Sequence, residues 1–236
     1  MTLSAPFLIR TEAELDAVMK ELQPVYENRI NSGDYFMLAW SKAGFVNIFT
    51  KEPVMTPDDL KKIKIASNAE AGEMNTAFKT MGYQVVEADL GDIGQKIATG
   101  AVSALYNNPA GIAAFQLHTV LKNMLSVNIA PVVGGIIVNQ VTWKRIGELN
   151  PMYQAELLRV TRQIAENLDA SMQKTVSDAV QAMSREGLRV NRPSPVQEQL
   201  WFNDVERVTP VLLGSTYNRD LYNRINAVLE RYRKGQ

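Results

Sequence analysis

Cysteine is absent from the 236 residues, and histidine occurs once, at His118. The first absence removes disulfides, thiolate nucleophiles and cysteine-ligated zinc or iron–sulfur sites. The second leaves a Ser–His–acid triad only one position to use, and no nucleophile elbow surrounds any serine. His118 lies in an apolar helical segment without a partner histidine, which reads as structural, so no metal is expected. An excess of either charge is missing too: 25 basic residues balance 25 acidic ones, without the basic surplus that nucleic-acid binding requires. The longest uncharged apolar run, 129–138, contains a proline and two glycines and is too short to span a bilayer as a helix. Met1-Thr2-Leu3-Ser4-Ala5-Pro6 has no basic segment leading into an apolar run, so no signal peptide is expected in this stretch. There is no Gly-x-Gly-x-x-Gly and no P-loop lysine; Gly91-Asp92-Ile93-Gly94 reads as a turn. With no acid–base pair or nucleophile in view, neither an enzyme nor a cofactor is expected.

What is present is a regular alternation of elements. An apolar content of 46% suits a protein with a real core, and the length allows one large domain or two small lobes. Thr11 and Glu14 have capping-box spacing, and Leu15, Val18, Met19, Leu22, Val25 and Tyr26 recur at helical intervals, predicting a helix over 11–31. Strands are expected at 35–40 and 45–49, split by a turn at 41–44. Thr56-Pro57-Asp58-Asp59 opens a short helix: a cap, a proline at the first helical position and two acids at the positive end of the dipole. Strands at 63–66, 83–86 and 104–106 alternate with helices at 69–81 and 92–98, which argues for an α/β sheet.

A helix at 110–118 and strands at 124–128 and 135–139 are expected next. From 151 to 184 an apolar pattern persists without an internal glycine or proline. Such a helix is on the order of 50 Å long, enough to act as a strut shared by two lobes. A short strand at 188–190 follows, then helices at 195–209 and 216–233, the second capped by Ser215 or Thr216. Asn107-Asn108-Pro109 closes a predicted strand; adjacent amides there form a turn or orient a ligand.

The stretch Pro53-Val54-Met55-Thr56-Pro57-Asp58-Asp59-Leu60-Lys61-Lys62-Ile63-Lys64-Ile65 resembles a hallmark of TRAP-type (DctP-like) solute-binding proteins, "pv-x-tPeDLkGlKiRvp". Other pieces fall in the family's order. Pro6-Phe7-Leu8-Ile9-Arg10 is similar to "PFLFR", and the segment from Trp40 to Phe49 resembles a "lgw…G-aromatic-R" strand pair. Met81-Gly82, Ala98-Thr99-Gly100-Ala101-Val102, Asn107-Asn108-Pro109 and Trp143-Lys144-Arg145-Ile146 resemble later motifs. The resemblance implies a two-lobed, periplasmic-binding-protein-like α/β fold with a long helix bridging both lobes. It places 1–43 and 131–170 in lobe one and 44–130 and 171–236 in lobe two. The family begins with a further strand, helix and strand, so the first lobe is expected to be incomplete. The implied role is capture of a solute in the interlobe cleft, in the periplasm or another extracytoplasmic space, for a TRAP membrane permease driven by an ion gradient.

Departures from the pattern bear on the solute. Ala66 stands where the family carries a carboxylate-gripping arginine, and Val46 follows Gly44-Phe45 where a second arginine is frequent. An arginine grips a carboxylate through two charge-assisted hydrogen bonds, and burying that carboxylate unpaired costs several kcal/mol. A neutral or largely apolar solute is therefore expected, with Trp40, Val46, Ala66, Asn68, Leu90 and Ile129 as contacts. Ser103-Ala104 replaces the family's "DG", and one extra residue leaves the orienting amide open between Asn107 and Asn108. A cleft without arginines also implies a helical-repeat lipoprotein as a partner. The alternative is an interaction subunit derived from this scaffold that no longer captures a solute.

Overall fold

Two long strands organise the chain. The computed structural model describes residues 2–68 and 70–235, for Leu90 the backbone alone. β1 (Tyr35–Thr50) and β5 (Asn123–Asn139) run antiparallel along almost their whole lengths, Tyr35 opposite Asn139 and Thr50 opposite Asn123. Each of the two was expected as a pair of short strands. The turn residues at 41–44 instead stay in an extended strand, because the partner strand pairs on both sides of them. The ladder absorbs the mismatch in irregularities, one of them between Lys42 and Phe45, where Gly44 adopts a φ of 78°.

The remaining strands are β2 (Lys64–Asn68), β3 (Gln84–Ala88), β4 (Ala104–Asn107) and β6 (Arg189–Asn191), in the sheet order β3-β2-β4-β1-β5-β6. β2 is parallel to β3 and β4, as the intervening helices α3 (Gly72–Thr80) and α4 (Leu90–Ala98) require. β4 meets only residues 47–50 of β1, and β6 only residues 123–125 of β5. The broad sheet therefore occupies one end of the molecule, and the first half of β1 and second half of β5 continue as a two-stranded ribbon.

Strand alternation sorts the core into two layers. Ile48, Ile65 and Ala104 face a cluster with Phe78 of α3, α1 (Glu12–Asn31), α8 (Pro195–Leu212) and α9 (Arg219–Lys234). Phe49, Ala66 and Leu105 face the other, with Ile93 and Ile97 of α4, Ile112 of α5 (Pro109–Ala114) and Met183 of α7 (Pro151–Arg185). The helix α1, expected in lobe one, packs against α9, expected in lobe two: Arg233 Nε donates to Glu14 Oε1 at 2.7 Å, and Leu15 and Leu229 share one cluster. The N-terminal helix and the C-terminal helices thus belong to a single core.

The cap residues show which local signals survive. Thr56 and Asp59 form a full capping box at the start of α2 (Pro57–Lys61). Thr11 accepts from Glu14 N at 3.1 Å, but the Glu14 carboxylate reaches past it to Arg10 N at 2.6 Å. Asn218, not Ser215 or Thr216, caps α9. The segment expected as one helix over 110–118 stops at Ala114, and Gln116 turns left-handed with φ 52° before a short 3-10 turn. The helix expected from 69 begins at Gly72, and Ala69 lies outside the described residues. A helix not expected, α6 (Gln140–Leu149), precedes α7, and Asn139 and Asn150 cap the two. α7 is the strut the periodicity implies. Its middle is fastened to β1 by Asp169, which accepts from Ser41 Oγ at 2.9 Å and Lys42 N at 2.7 Å.

Candidate functional site

The carboxyl ends of β2, β3 and β4 lie side by side, the edge at which open α/β sheets bind ligands. Two hollows flank that edge. The larger, about 570 Å³, is walled by Val46, Met74 and Tyr106, with Ser4 and the start of α3 at its rim, where Glu70 and Glu73 bring two carboxylates. The smaller, about 250 Å³, is lined by Ile93, Leu105, Phe115 and Leu117 with Gly91, Gly94 and Asn107. No arginine or lysine lines either hollow among the described residues.

A buried polar knot supports the floor of the larger hollow. Tyr106 Oη donates to Asn75 Oδ1 at 2.6 Å, Ser67 Oγ lies within hydrogen-bond distance of both and has one proton to share between them, and Asn75 Nδ2 donates to the Asn68 carbonyl at 3.0 Å. Burial pushes the Tyr106 phenol up to about 12, against the opposing hydrogen bond from Ser67. The ring therefore faces the hollow as a neutral group with its hydroxyl already engaged. Tyr106 and Met74 were not among the expected contacts. Strand alternation carries the signal for Tyr106, since it must face away from Leu105.

The structure separates the residues expected to share one cleft. Val46 walls the larger hollow and Asn107 the smaller. Trp40 lines a third, polar hollow of about 210 Å³ between α1, β1 and α7, where its indole donates to Glu27 Oε1 at 3.2 Å and its neighbours include Arg162, Glu166 and Asp169. Ala66 and Ile129 are fully buried, in opposite core layers, so neither presents a side chain to a hollow. The reason for Ala66 is length: a methyl group at the middle of β2 ends inside the layer. Asn68 stands at the end of β2, with its side-chain oxygen accepting from Glu70 N at 3.2 Å. The side chain of Leu90 lies outside the described residues.

The adjacent asparagines divide their work. Asn108 caps α5, its Oδ1 accepting from Ala110 N at 2.8 Å, and its Nδ2 donates to the carbonyls of Ala43 and, at 3.5 Å, Phe45. It clasps β1 around Gly44, opposite the fastening made by Asp169. Asn107 accepts from Asn108 N at 2.7 Å, and its Nδ2 has no hydrogen-bond partner among the described residues. Asn107 is thus the amide with a free donor beside an apolar wall. His118 does not join the site. Its Nε2 lies 2.7 Å from Glu186 Oε2 at the end of α7, and among the described residues no cluster of metal-ligand type is present.

This geometry can be set against known proteins. The family model described as "Bacterial extracellular solute-binding protein, family 7" (DctP) matches residues 1–213. The chain belongs to that family, whose members are solute receptors of the TRAP type and not enzymes. No curated protein matches the sequence. A TRAP periplasmic solute-binding protein from Ralstonia eutropha H16 with bound (S)-2-acetolactate has a TM-score of 0.84 and 20% identity, covering 98% of this chain and 74% of that one. One from Chromohalobacter salexigens with bound D-glucuronate has a TM-score of 0.83 and 16% identity, covering 97% and 74%. An open apo structure from Escherichia fergusonii has a TM-score of 0.82 and 21% identity, covering 96% and 74%. The fold is accordingly the two-lobed α/β fold of these receptors, with α7 as its long bridging helix.

Proposed function

We propose that this chain captures a neutral or largely apolar small solute at the carboxyl edge of its sheet and hands it to an ion-gradient-driven TRAP permease outside the cytoplasm. One observation carries the reading: among the described residues the hollows at that edge are lined by apolar side chains, an amide, the Ser4 hydroxyl and two glutamates, without a basic side chain. The solutes named for the similar structures, acetolactate and glucuronate, are carboxylates. A carboxylate in the larger hollow would meet Glu70 at its rim, and among the described residues no basic side chain lines that hollow to offset its desolvation. In the smaller hollow a neutral solute loses apolar surface to Ile93 and Leu117 and takes its orientation from the Asn107 amide. Among the described residues no helix is long and apolar enough to cross a membrane. A helical-repeat lipoprotein is the further partner proposed for a receptor of this kind.

The test is native mass spectrometry of the freshly purified chain, followed by denaturing extraction of whatever is bound. A stoichiometric uncharged small molecule is the expected result. A stoichiometric carboxylate would overturn the proposed solute class. A second reading, an interaction subunit that captures no solute, draws on the exposed apolar side chains of α6 and α7. An empty chain that no neutral solute stabilises would favour it.

A further inference from the structure

One glycine of α5 has no backbone reason to be there. Gly111 lies inside the helix, and its φ is not positive. A glycine weakens a helix interior relative to alanine. Space explains it. A Cβ added at this position would stand 3.3 Å from Asn107 Oδ1, 3.4 Å from Nδ2 and 3.5 Å from Cγ, and these are the atoms nearest to it. Three similar distances to one planar group mean that the Asn107 amide lies face-on against the glycine. The edge of the same amide is held as well, because Oδ1 accepts from Asn108 N at 2.7 Å. Turning the amide over would set Nδ2, a donor, against that N–H, also a donor. The amide therefore keeps one orientation, with its acceptor spent. Nδ2 has no hydrogen-bond partner among the described residues, and Asn107 is the one polar side chain among them that lines the smaller hollow.

We infer that Gly111 is a positioning residue, seating the Asn107 amide so that the smaller hollow takes its solute through an acceptor oxygen. This rests on the reading of that hollow as a solute site and adds the chemistry of the solute's polar group. Ile93, Leu105, Phe115 and Leu117 supply apolar walls, and Nδ2 supplies a donor with no acceptor beside it. An uncharged molecule with a ketone, ester or amide carbonyl on an apolar body satisfies that donor. A molecule without an acceptor leaves it unpaired against apolar walls, which costs affinity. Gly111 does not itself line the hollow, so it acts only through Asn107. A methyl group there would press on Oδ1 and Nδ2 together. The amide yields only by stretching or tilting its bond to Asn108 N, and either moves Nδ2 off its line. Asn108 cannot stand in, because its own amide is held by the α5 cap and the Ala43 carbonyl.

Thermal melting of the solute-free full chain, run as a double-mutant cycle, tests the seating. In an Asn107→Ala background, Gly111→Ala should raise the melting temperature by roughly 1–4 °C, the ordinary gain from replacing a helical glycine. In the wild-type background that gain should vanish or reverse. Equal gains in the two backgrounds overturn the positioning role. Saturation-transfer NMR titrations then read the solute chemistry. The probes are cyclohexanone and methylenecyclohexane, which share a ring and an exocyclic double bond and differ in the acceptor oxygen. Cyclohexanone should bind the wild-type chain, bind Asn107→Ala about tenfold more weakly, the worth of one hydrogen bond, and bind Gly111→Ala more weakly too. Methylenecyclohexane should bind all three alike. Cyclohexanone that ignores Asn107→Ala, or that does not bind the wild-type chain, overturns the acceptor assignment; cyclohexanone that ignores Gly111→Ala overturns the positioning role. Neither readout uses the extracted solute, so its failure is distinct from a failure of the proposed solute class, which native mass spectrometry decides.

Discussion

Replacing Asn108 with alanine removes two supports at once. The first is the cap of α5, the bond from Ala110 N to Asn108 Oδ1 at 2.8 Å; losing such a cap costs about 1 kcal/mol. The second is the pair of donations from Nδ2 to the carbonyls of Ala43 and Phe45. The Phe45 contact is long, so one full bond is counted, and a buried acceptor left without its donor costs about 1–3 kcal/mol. Together Asn108→Ala should destabilise by about 2–4 kcal/mol. For a chain of this size that corresponds to a fall of roughly 5–15 °C in melting temperature. Asn108→Ser keeps a cap acceptor but cannot reach the β1 carbonyls, and should lose only the second part. Urea denaturation and thermal melting of the solute-free protein measure both variants. A change below about 0.5 kcal/mol for Asn108→Ala, within the range of an ordinary surface substitution, would refute the structural role. It would return Asn108 to the ligand-orienting candidates.

Four further outcomes follow from the same geometry. Asn107→Ala should reduce retention of the extracted solute about tenfold, the worth of one hydrogen bond of about 1.4 kcal/mol, and should cost the empty protein about 1 kcal/mol for the bond its Oδ1 accepts from Asn108 N. Asp204, buried in α8, accepts from Tyr83 Oη and Lys61 Nζ, each at 2.8 Å, and from Arg207 at 3.0 Å. Asp204→Ala should therefore lower the urea-derived stability by about 3 kcal/mol, and a loss below about 1 would contradict a shared buried carboxylate. Gly44→Ala forces an L residue to a φ of 78° with its Cβ 3.5 Å from Asn108 Nδ2 and from Val176 Cγ2. A cost of about 1–2 kcal/mol is expected in thermal melts.

Alkaline pH should destabilise the fold. Burial pushes the phenols of Tyr26 and Tyr106 up to about 12, while unfolded tyrosines ionise near ~10. The unfolded chain then sheds its protons first. Stability should be complete below about pH 10 and decline as pH rises towards 12, and urea midpoints that stay flat over that interval would show these phenols to be solvated.

Local signals served best where a few adjacent residues suffice. Thr56, Pro57 and Asp59 specify the start of α2 by themselves, and the 3.6 period marks α7 almost to its last turn, because capping and periodicity are properties of neighbouring residues. They served worst along β1 and β5. The stretch at 41–44 has turn chemistry, yet it stays extended because a distant strand pairs with both its flanks. The same limit applies to the site. The lack of arginine at positions 46 and 66 is visible in the sequence. That Ala66 and Ile129 are sealed in opposite core layers, and that Trp40 opens onto a separate polar hollow, depends on which helix covers which face.

What the sequence alone determined is the α/β alternation, the long strut, the family and the missing arginines, all carried by residue type and short-range spacing. Tertiary structure alone decided that the N-terminal helix closes on the C-terminal ones, and that Asn108 is spent on clasping β1 while Asn107 keeps a free donor among the described residues. Each of these rests on contacts between residues far apart in the chain, and a pattern read along the chain holds no information about which surface arrives to cover another.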